Sequence, residues 1–260
     1  MLLKLLQRES PRLKMVELKG LFKLAPAAAI KYLKKKHNKV SWDWFDIWQE
    51  AHNKSFTVAK AMREAILQDI REAVEKAISE GQTFRSFQKE LQPLLQKKGW
   101  WGKEFVVDSK GNTEQVQLGS VNRLKTIYRV NMQTAYQAGR YKTQLDNADN
   151  RPYWEYVAVM DAKTRPEHAQ LNGLIFPYDD PFWRSFYPPN GWRCRCRVNA
   201  LAHYDIKKKS QISSSDGYLS TEMRLVSKKS GEYKPVTVYT DPLTEKKIAP
   251  DVGWSSNPAA

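Results

Sequence analysis

The sequence predicts an α+β protein, in which a helical N-terminal region with long helices precedes a small mixed α/β domain and an extended C-terminal tail. Two observations carry this prediction. Before residue 150, apolar residues recur every three or four positions over long stretches, as on one face of a helix. After residue 150, short runs of aromatic and β-branched residues alternate with clusters of turn formers, which is the pattern of short strands.

The composition is that of a folded, basic protein. The chain has 260 residues, enough for one large domain or two small ones, and 41% of them are hydrophobic. The formal net charge of +15 favours a polyanionic partner such as nucleic acid or an acidic protein surface. The N-terminus lacks the features of a signal peptide, and no apolar run is long enough to span a membrane.

The helical part is expected to follow a basic segment, 1–40, and to occupy residues 41–150. Its helices should begin at Ser or Thr caps and end at glycine or lysine-rich turns. The predicted spans are 41–81, as one helix or as two with a bend, then 83–98 and 120–145, with a loop or hairpin over 103–118. Polar residues and a glycine inside the last helix indicate close packing or a buried hydrogen bond.

Two lysine runs are the candidate nucleic-acid contacts. The first follows a short predicted helix in the basic segment, where positive charge near a helix C-terminus also has a purely structural explanation. Phosphate contact at such runs would be insensitive to sequence and sensitive to salt. The candidate residues are Lys34, Lys35, Lys36, Lys207, Lys208 and Lys209.

Residues 151–205 are expected to form the core of the mixed domain. The predicted elements are a strand over 153–160, a short helix over 164–171 with Pro166 in its first turn, and a strand over 197–201. Residues 206–260 should then comprise a flexible Lys- and Ser-rich segment to residue 234, a last strand over 235–239 and a turn-rich tail.

The stretch from Asp161 to Cys196 holds the residues best suited to chemistry. Both cysteines of the chain lie in it, with one of the four histidines and many turn formers, so we expect a compact, loop-rich knot. Zinc prefers thiolate and imidazole ligands. His168, Cys194 and Cys196 are therefore candidate zinc ligands, with Asp161 or His203 as a candidate fourth.

Other interpretations of these residues stay open. The cysteines are spaced unsuitably for a disulfide with each other, which fits a reducing compartment, and they could be small buried hydrophobic residues beside a packed His168. Without zinc, Asp161 should organise its loop by accepting hydrogen bonds from the backbone or Thr164. A Cys–His nucleophile is a further alternative, but alternation places Arg193 and Arg195 away from the thiols. No phosphate loop or serine elbow appears, and we predict no enzymatic activity.

The knot also contains a series of short motifs in a fixed order. They are Asp161-x-x-Thr164-Arg165-x-x-His168-x-x-Leu171-x-Gly173, Asp180-Pro181-x-Trp183, and Pro188-Pro189-Asn190-Gly191-x-x-Cys194-Arg195-Cys196. Together with 56–61, 99–102 and 251–258, this series resembles the head-morphogenesis family of tailed bacteriophages, specifically the F-like minor head proteins of phage Mu. The resemblance covers most of the chain. It gives Thr164, Arg165, Gly173, Trp183, Pro189 and Gly191 the role of structural motif residues.

The resemblance implies a structural protein of the virion at the portal vertex, acting in head morphogenesis and in DNA packaging or delivery. The implied partners are the portal protein, other capsid or scaffold proteins and double-stranded DNA bound without sequence specificity, with no membrane. The implied location is the capsid interior or portal vertex, and the host cytoplasm during assembly. Relatives often carry cysteines where Arg165 and His168 stand, so this chain keeps only part of their cluster.

Two alternative functions are a basic DNA-binding accessory protein without a head role, and a toxin or transferase effector. Some relatives are fused to such an effector domain. Here the motif at 251–258 stands at the end of the given sequence, so we expect no fusion of that kind.

Overall fold

The computed structural model describes residues 27–107, 111 and 113–259, and it confirms the α+β class. The described helices are α1 (Ala27–Lys34), α2 (Ala51–Lys54), α3 (Glu64–Glu80), α4 (Phe84–Lys97), α5 (Val121–Asp146), α6 (Pro166–Gln170) and α7 (Phe182–Phe186). The described strands are β1 (His37–Asn38), β2 (Ser55–Phe56), β3 (Lys103–Val107), β4 (Thr113–Gln117), β5 (Tyr153–Val157), β6 (Ile175–Pro177), β7 (Arg197–Leu201), β8 (Leu219–Ser227), β9 (Glu232–Thr240) and β10 (Lys247–Ile248).

The first hydrophobic core lies among α1, α3, α4 and α5. Helix α3 buries a stripe at helical spacing, Ile66, Ile70, Val74 and Ala77, and Gly81 ends it in the left-handed conformation. The Thr83 hydroxyl accepts a hydrogen bond from Ser86 N and caps α4, and the Ser120 hydroxyl does the same for Arg123 N at the start of α5. The sequence-based bounds of α4 and α5 are confirmed.

The helix expected from Ser41 to Gly81 is wrong in its first half, because α3 begins only at Glu64. Ser41 does not cap a helix, since its hydroxyl lies 2.5 Å from the Thr57 hydroxyl. Residues 41–50 form turns instead, and β1 and β2 pair in parallel around them. Here the packing of tryptophans against distant parts of the chain outweighs a helical spacing of apolar residues.

The segment 103–118 forms the expected hairpin, with β3 and β4 paired antiparallel from Lys103–Gln117 to Val107–Thr113. Two residues on which the turn was predicted, Lys110 and Asn112, lie outside the described residues.

The second core is aromatic and belongs to the three-stranded antiparallel sheet β6–β5–β7. Trp154 and Tyr156 of β5 are completely buried, and rings from α7 pack beside them. The Phe182 ring stacks on Phe176 at 4.2 Å and on Phe186 at 4.5 Å. Burial of several large rings holds this loop-rich part of the chain together.

The segment 206–234, expected to be flexible, is largely ordered structure. Strand β8 pairs with β9 over nearly its whole length, and β10 adds a third strand after β9. The strand predicted at 235–239 is therefore part of β9, and it is not the last one. The polar composition was misleading because the buried positions of this sheet, among them Val236, Val238 and Tyr239, are few, whereas every residue of β8 is partly or fully exposed.

Helix α5 joins the two cores by covering the free edge of β7. Among the described strands, β7 pairs only with β5, so its outward carbonyls need other donors. Four side chains on one face of α5 supply them: Gln133 and Gln137 donate to Cys196 O at 3.2 and 3.0 Å, and Arg140 and Gln144 donate to Val198 O at 2.8 and 2.9 Å. The expectation of a buried hydrogen bond inside this helix is confirmed, although of these four residues the sequence singled out only Arg140.

Close packing explains the glycine in the same helix. A Cβ atom at Gly139 would lie 3.2 Å from both Ala28 Cβ and Ala29 N of α1. The absence of a side chain lets the two helices approach. Among the described residues, no helix combines the length and apolar character that crossing a membrane would require.

We predict that Gln144→Ala destabilises the protein by about 2–3 kcal/mol, measured by urea unfolding. Gln144 donates to Val198 O and its Oε1 accepts from the Tyr187 hydroxyl at 2.6 Å, so truncation leaves a buried hydroxyl unpaired. Gln96→Ala, on the exposed side of α4, is the matched control and should change stability by less than about 0.5 kcal/mol. Equal effects of the two substitutions would contradict the edge-covering role of α5.

Candidate functional site

The structure brings together His168, Cys194 and Cys196, as the sequence predicts. His168 Nδ1 lies 3.7 Å from Cys194 Sγ and 3.6 Å from Cys196 Sγ, and all three ligand-type atoms lie within 4.8 Å of one another. The three residues are almost completely buried. We call this group the Cys–His cluster.

Short elements position each member of the cluster. Pro166 occupies the first turn of α6, as expected, and the helix carries His168 toward the sheet. The cysteines do not sit on a strand, contrary to the alternation argument, since β7 begins only at Arg197. A turn holds them instead: Arg193 adopts a φ of 59°, Cys194 N donates to Gly191 O at 3.1 Å, and Cys196 N approaches Cys194 Sγ at 3.5 Å.

The separations in the cluster fit a tetrahedral zinc ion. Zinc–sulfur and zinc–nitrogen bonds of about 2.3 and 2.0–2.1 Å, at the tetrahedral angle, place nitrogen and sulfur about 3.6 Å apart. The two Nδ1–Sγ distances match that separation. One feature departs from the usual zinc site, because His168 Nε2 is buried without a hydrogen-bond partner among the described residues.

Neither expected fourth ligand lies in the cluster. Asp161 is exposed, and its carboxylate accepts two hydrogen bonds from the Arg195 guanidinium, with Nη1–Oδ2 at 2.7 Å. His203 stacks edge-on against Tyr153, beyond the opposite end of β7 from Cys196.

Asp161 makes the loop contacts that were expected of it in the absence of zinc. Its Oδ1 accepts from Lys163 N at 3.0 Å and from the Thr164 hydroxyl at 3.3 Å. The hydrogen bonds from Arg195, followed by that from Lys163 N, hold the pKa of the carboxyl well below its usual range. The loop therefore keeps its ion pair at any pH near neutrality.

The two thiols shift each other's pKa in opposite directions. The neighbouring Cys194 thiol lowers the pKa of Cys196, and the contact with His168 acts in the same direction. The neighbouring Cys196 sulfur and burial together raise the pKa of Cys194. The arrangement supplies a thiolate that can bind a metal or take part in a hydrogen-bonded network. Because both sulfur atoms are buried, neither can reach a substrate as a nucleophile.

The structural motif residues hold the loops around the cluster. Gly173 has a φ of 85° and donates from its N to Tyr156 O, and a Cβ at Gly191 would collide with the Asp251 carboxylate. The Thr164 hydroxyl donates to Val159 O, and Trp183 Nε1 donates to Pro177 O. Arg165 donates to Trp192 O and forms an ion pair with Asp251. Pro189 follows a cis peptide bond.

The lysine runs differ in their availability. Lys34, Lys35, Lys207, Lys208 and Lys209 are exposed. Lys36 is not available to nucleic acid, because its side chain is buried against the Tyr32 ring. The turn that follows α1, in which Lys36 N donates to Leu33 O at 3.1 Å, places Lys36 on the inner side, whereas the sequence showed only three adjacent lysines.

The sequence analysis did not identify the α5 side chains that donate hydrogen bonds to Cys196 O and Val198 O. Their signal was present, since Gln133, Gln137, Arg140 and Gln144 recur every three or four residues on one helix face. It could not be interpreted without knowing that the facing strand is an edge strand.

Comparison with known proteins identifies relatives. The family described as "Phage Mu protein F like protein" matches residues 68–199, which are 132 of the 260 residues and include the whole Cys–His cluster. The chain is 46% identical over 241 residues to the "Putative capsid assembly protein F" of Escherichia phage Mu, covering 92% of this chain and 55% of that protein. It is 44% identical over 221 residues to the "Mu-like prophage FluMu F protein" of Haemophilus influenzae, covering 84% and 52%.

The chain therefore spans about half the length of the curated relatives it matches. No solved structure matches it. With a family match over half of its residues, a range that includes the knot, the chain belongs to the phage Mu F-like protein family.

Proposed function

We propose that this protein acts in the assembly of a bacteriophage or prophage head, as a minor capsid component at the portal vertex. The observation that carries the proposal is the 46% identity, over 92% of this chain, to a protein named for capsid assembly. A role in packaging or delivering DNA is part of the proposal. Its support is the net charge of +15 and the exposed lysine runs.

The β8–β9 sheet offers a surface suited to another protein of the head. Met223 lies opposite Pro235 and Leu225 lies opposite Tyr233, so all four share one face of the sheet. All four are exposed, and exposed apolar side chains that cluster are typical of protein–protein contacts. We call these four residues the β8–β9 patch.

We predict that the double substitution Met223→Ser/Tyr233→Ser leaves the fold intact and reduces the number of copies in purified procapsids at least severalfold. The substitutions remove apolar contact area without touching a buried residue. Quantitative mass spectrometry of procapsids from a complemented deletion strain measures the copies. Leu243→Ser, which is 91% exposed and lies outside the patch, is the control and should leave them unchanged.

This experiment also separates the main proposal from its alternatives. Absence of the wild-type protein from both procapsids and virions would exclude the head role and favour a DNA-binding accessory protein. Normal copy number of the double variant would contradict the patch while leaving the head role intact.

The DNA contact has its own expected outcome. Substitution of Lys207, Lys208 and Lys209 by serine should weaken binding to duplexes of unrelated sequence alike and reduce the slope of log affinity against log salt by up to about three. Gel-shift titrations at two salt concentrations measure this. Serine at Lys89, Lys97 and Lys142, which are exposed but scattered, is the matched control. A strong sequence preference, or no binding at low salt, would contradict phosphate contact.

We further propose that the Cys–His cluster holds a structural zinc ion through His168, Cys194 and Cys196. The nitrogen–sulfur separations and the burial of all three residues support this. When bound, zinc would tie α6 to the turn before β7, and so stabilise the knot.

We expect protein purified without chelator to contain about one equivalent of zinc by elemental analysis, and Cys196→Ser to contain much less. Removing the metal should increase amide hydrogen exchange in 161–201 before it does so in α3 and α4. Cys194→Ser should behave like Cys196→Ser. Less than about a tenth of an equivalent in a folded wild type would leave the hydrogen-bonded cluster as the correct description.

A further inference from the structure

A cavity of about 550 Å³ lies away from the Cys–His cluster. Its walls come from Tyr32 and Lys36, from residues 44–59, from residues 117–134, from the turn that holds Pro189 and Trp192, and from the turn at 253–258. The volume lies in the range of sites for small molecules. None of the described residues that line it is acidic, whereas Lys36 and Arg123 both line it.

Lys36 is the unusual residue of this cavity. Its side chain is only 7% exposed, its Nζ lies 4.5 Å over the Tyr32 ring, and no carboxylate among the described residues pairs with it. Burial, and then the like charge of Arg71, lower its pKa to about 7. Charging a buried lysine that has no counter-ion is costly, and an anionic ligand in the cavity would offset that cost.

Two neighbours of Lys36 complete a polar end of the cavity. The Tyr32 hydroxyl is buried and has no hydrogen-bond partner among the described residues. Burial, followed by the charge of Lys36, lowers the pKa of His52 to about 4, so this imidazole is neutral at pH 7. An anionic oxygen at this end could accept from both Lys36 and Tyr32.

Arg123 contributes charge to the cavity and is held in place by other parts of the chain. Its guanidinium donates to Gln117 O, Leu118 O and Ala59 O, each at 2.5 Å, and lies 4.9 Å from the Trp100 ring. These carbonyls carry no net charge, so Arg123 keeps its formal positive charge beside the cavity.

A wall of tryptophans faces the cavity. Trp192 lies edge-on to Trp44 at 6.1 Å and to Trp254 at 5.1 Å, and all three line the space. Trp192 is also 39% exposed, so this wall reaches the surface of the protein. Aromatic rings of this kind bind flat apolar groups by stacking or edge contact.

We propose that this cavity binds a small organic anion, in which a carboxylate or phosphate is attached to a flat apolar body. Lys36 and the Tyr32 hydroxyl hold the anionic group, Arg123 adds positive potential, and the tryptophan wall holds the apolar body. This binding site does not rest on the head role or on the zinc ion proposed above. It accounts for a lysine at a buried position where it destabilises the free protein.

The test uses the full chain with phenyl phosphate and phenylacetate as probes. Two control compounds each present one part of such a ligand: inorganic phosphate has the anionic group alone, and benzyl alcohol has the aromatic ring without the anion. Thermal shift and titration calorimetry measure binding. At least one of the two aromatic anions should raise the Tm of the wild type and bind at least tenfold more tightly than either half. The aromatic anion that binds more tightly identifies whether the group is a phosphate or a carboxylate.

Lys36→Met should lose this response and, without ligand, should melt on the order of 5 °C higher than the wild type, because it removes the uncompensated buried charge. Lys35→Met, at the exposed neighbouring position, should bind normally and melt like the wild type. Tyr32→Phe should weaken binding about fivefold, and it carries the test if Lys36→Met does not fold.

The proposal is overturned if neither aromatic anion shifts the wild-type Tm, or if Lys36→Met responds as strongly as the wild type. Equal binding of inorganic phosphate and phenyl phosphate would contradict the claim that the cavity binds the apolar body of the ligand. A folded Lys36→Met that melts below the wild type would show that the lysine stabilises the free protein, and would remove the basis of the proposal.

Discussion

The constraint on which the rest of this structure depends is the free edge of β7. A strand with one neighbour presents a row of carbonyls that must find donors. Helix α5 provides those donors from a single face, and the same helix packs its other faces into the first core. One set of hydrogen bonds therefore fixes the helical part relative to the knot, and it fixes the carbonyl of Cys196 while the thiol of that residue faces His168.

Much of this could be predicted from the sequence where local signals and tertiary packing agree. The caps Thr83 and Ser120 identify α4 and α5, and the Cys-x-Cys pair with His168 identifies the cluster. The prediction was wrong where contacts between residues far apart in the chain determine the local structure. The spacing of Trp44 and Trp48 suits a helix, but Trp44 packs against Trp192 and Trp48 lies under Lys234, both far along the chain. The bidentate pairing of Asp161 with Arg195, which removes it from the cluster, depends on a turn whose geometry no spacing rule fixes.

The cluster and the cavity are separate sites that share a loop. Arg165, the residue directly before α6, makes the connection, because its guanidinium donates to Trp192 O and pairs with Asp251, each at 2.9 Å. Trp192 is a wall of the cavity, and Gly191 beside it belongs to the turn that sets the cysteines. A displacement of this loop would therefore reach both sites.

The turn at 253–258 and the neighbouring sheet hold residues 41–63 through contacts far apart in the chain. Asn53 Nδ2 donates to Asn257 O across 204 positions, and Lys234 Nζ donates to Phe45 O across 189. At a synthesis rate of about 5–20 residues per second, the ribosome needs roughly 10–40 s to make the partners of this segment. During that interval the helices from α3 onward can form from local contacts. The distant residues that pack against the tryptophans of 42–48 have not yet been synthesised. Until those late partners emerge, residues 42–58 lack the contacts that hold them in their final arrangement.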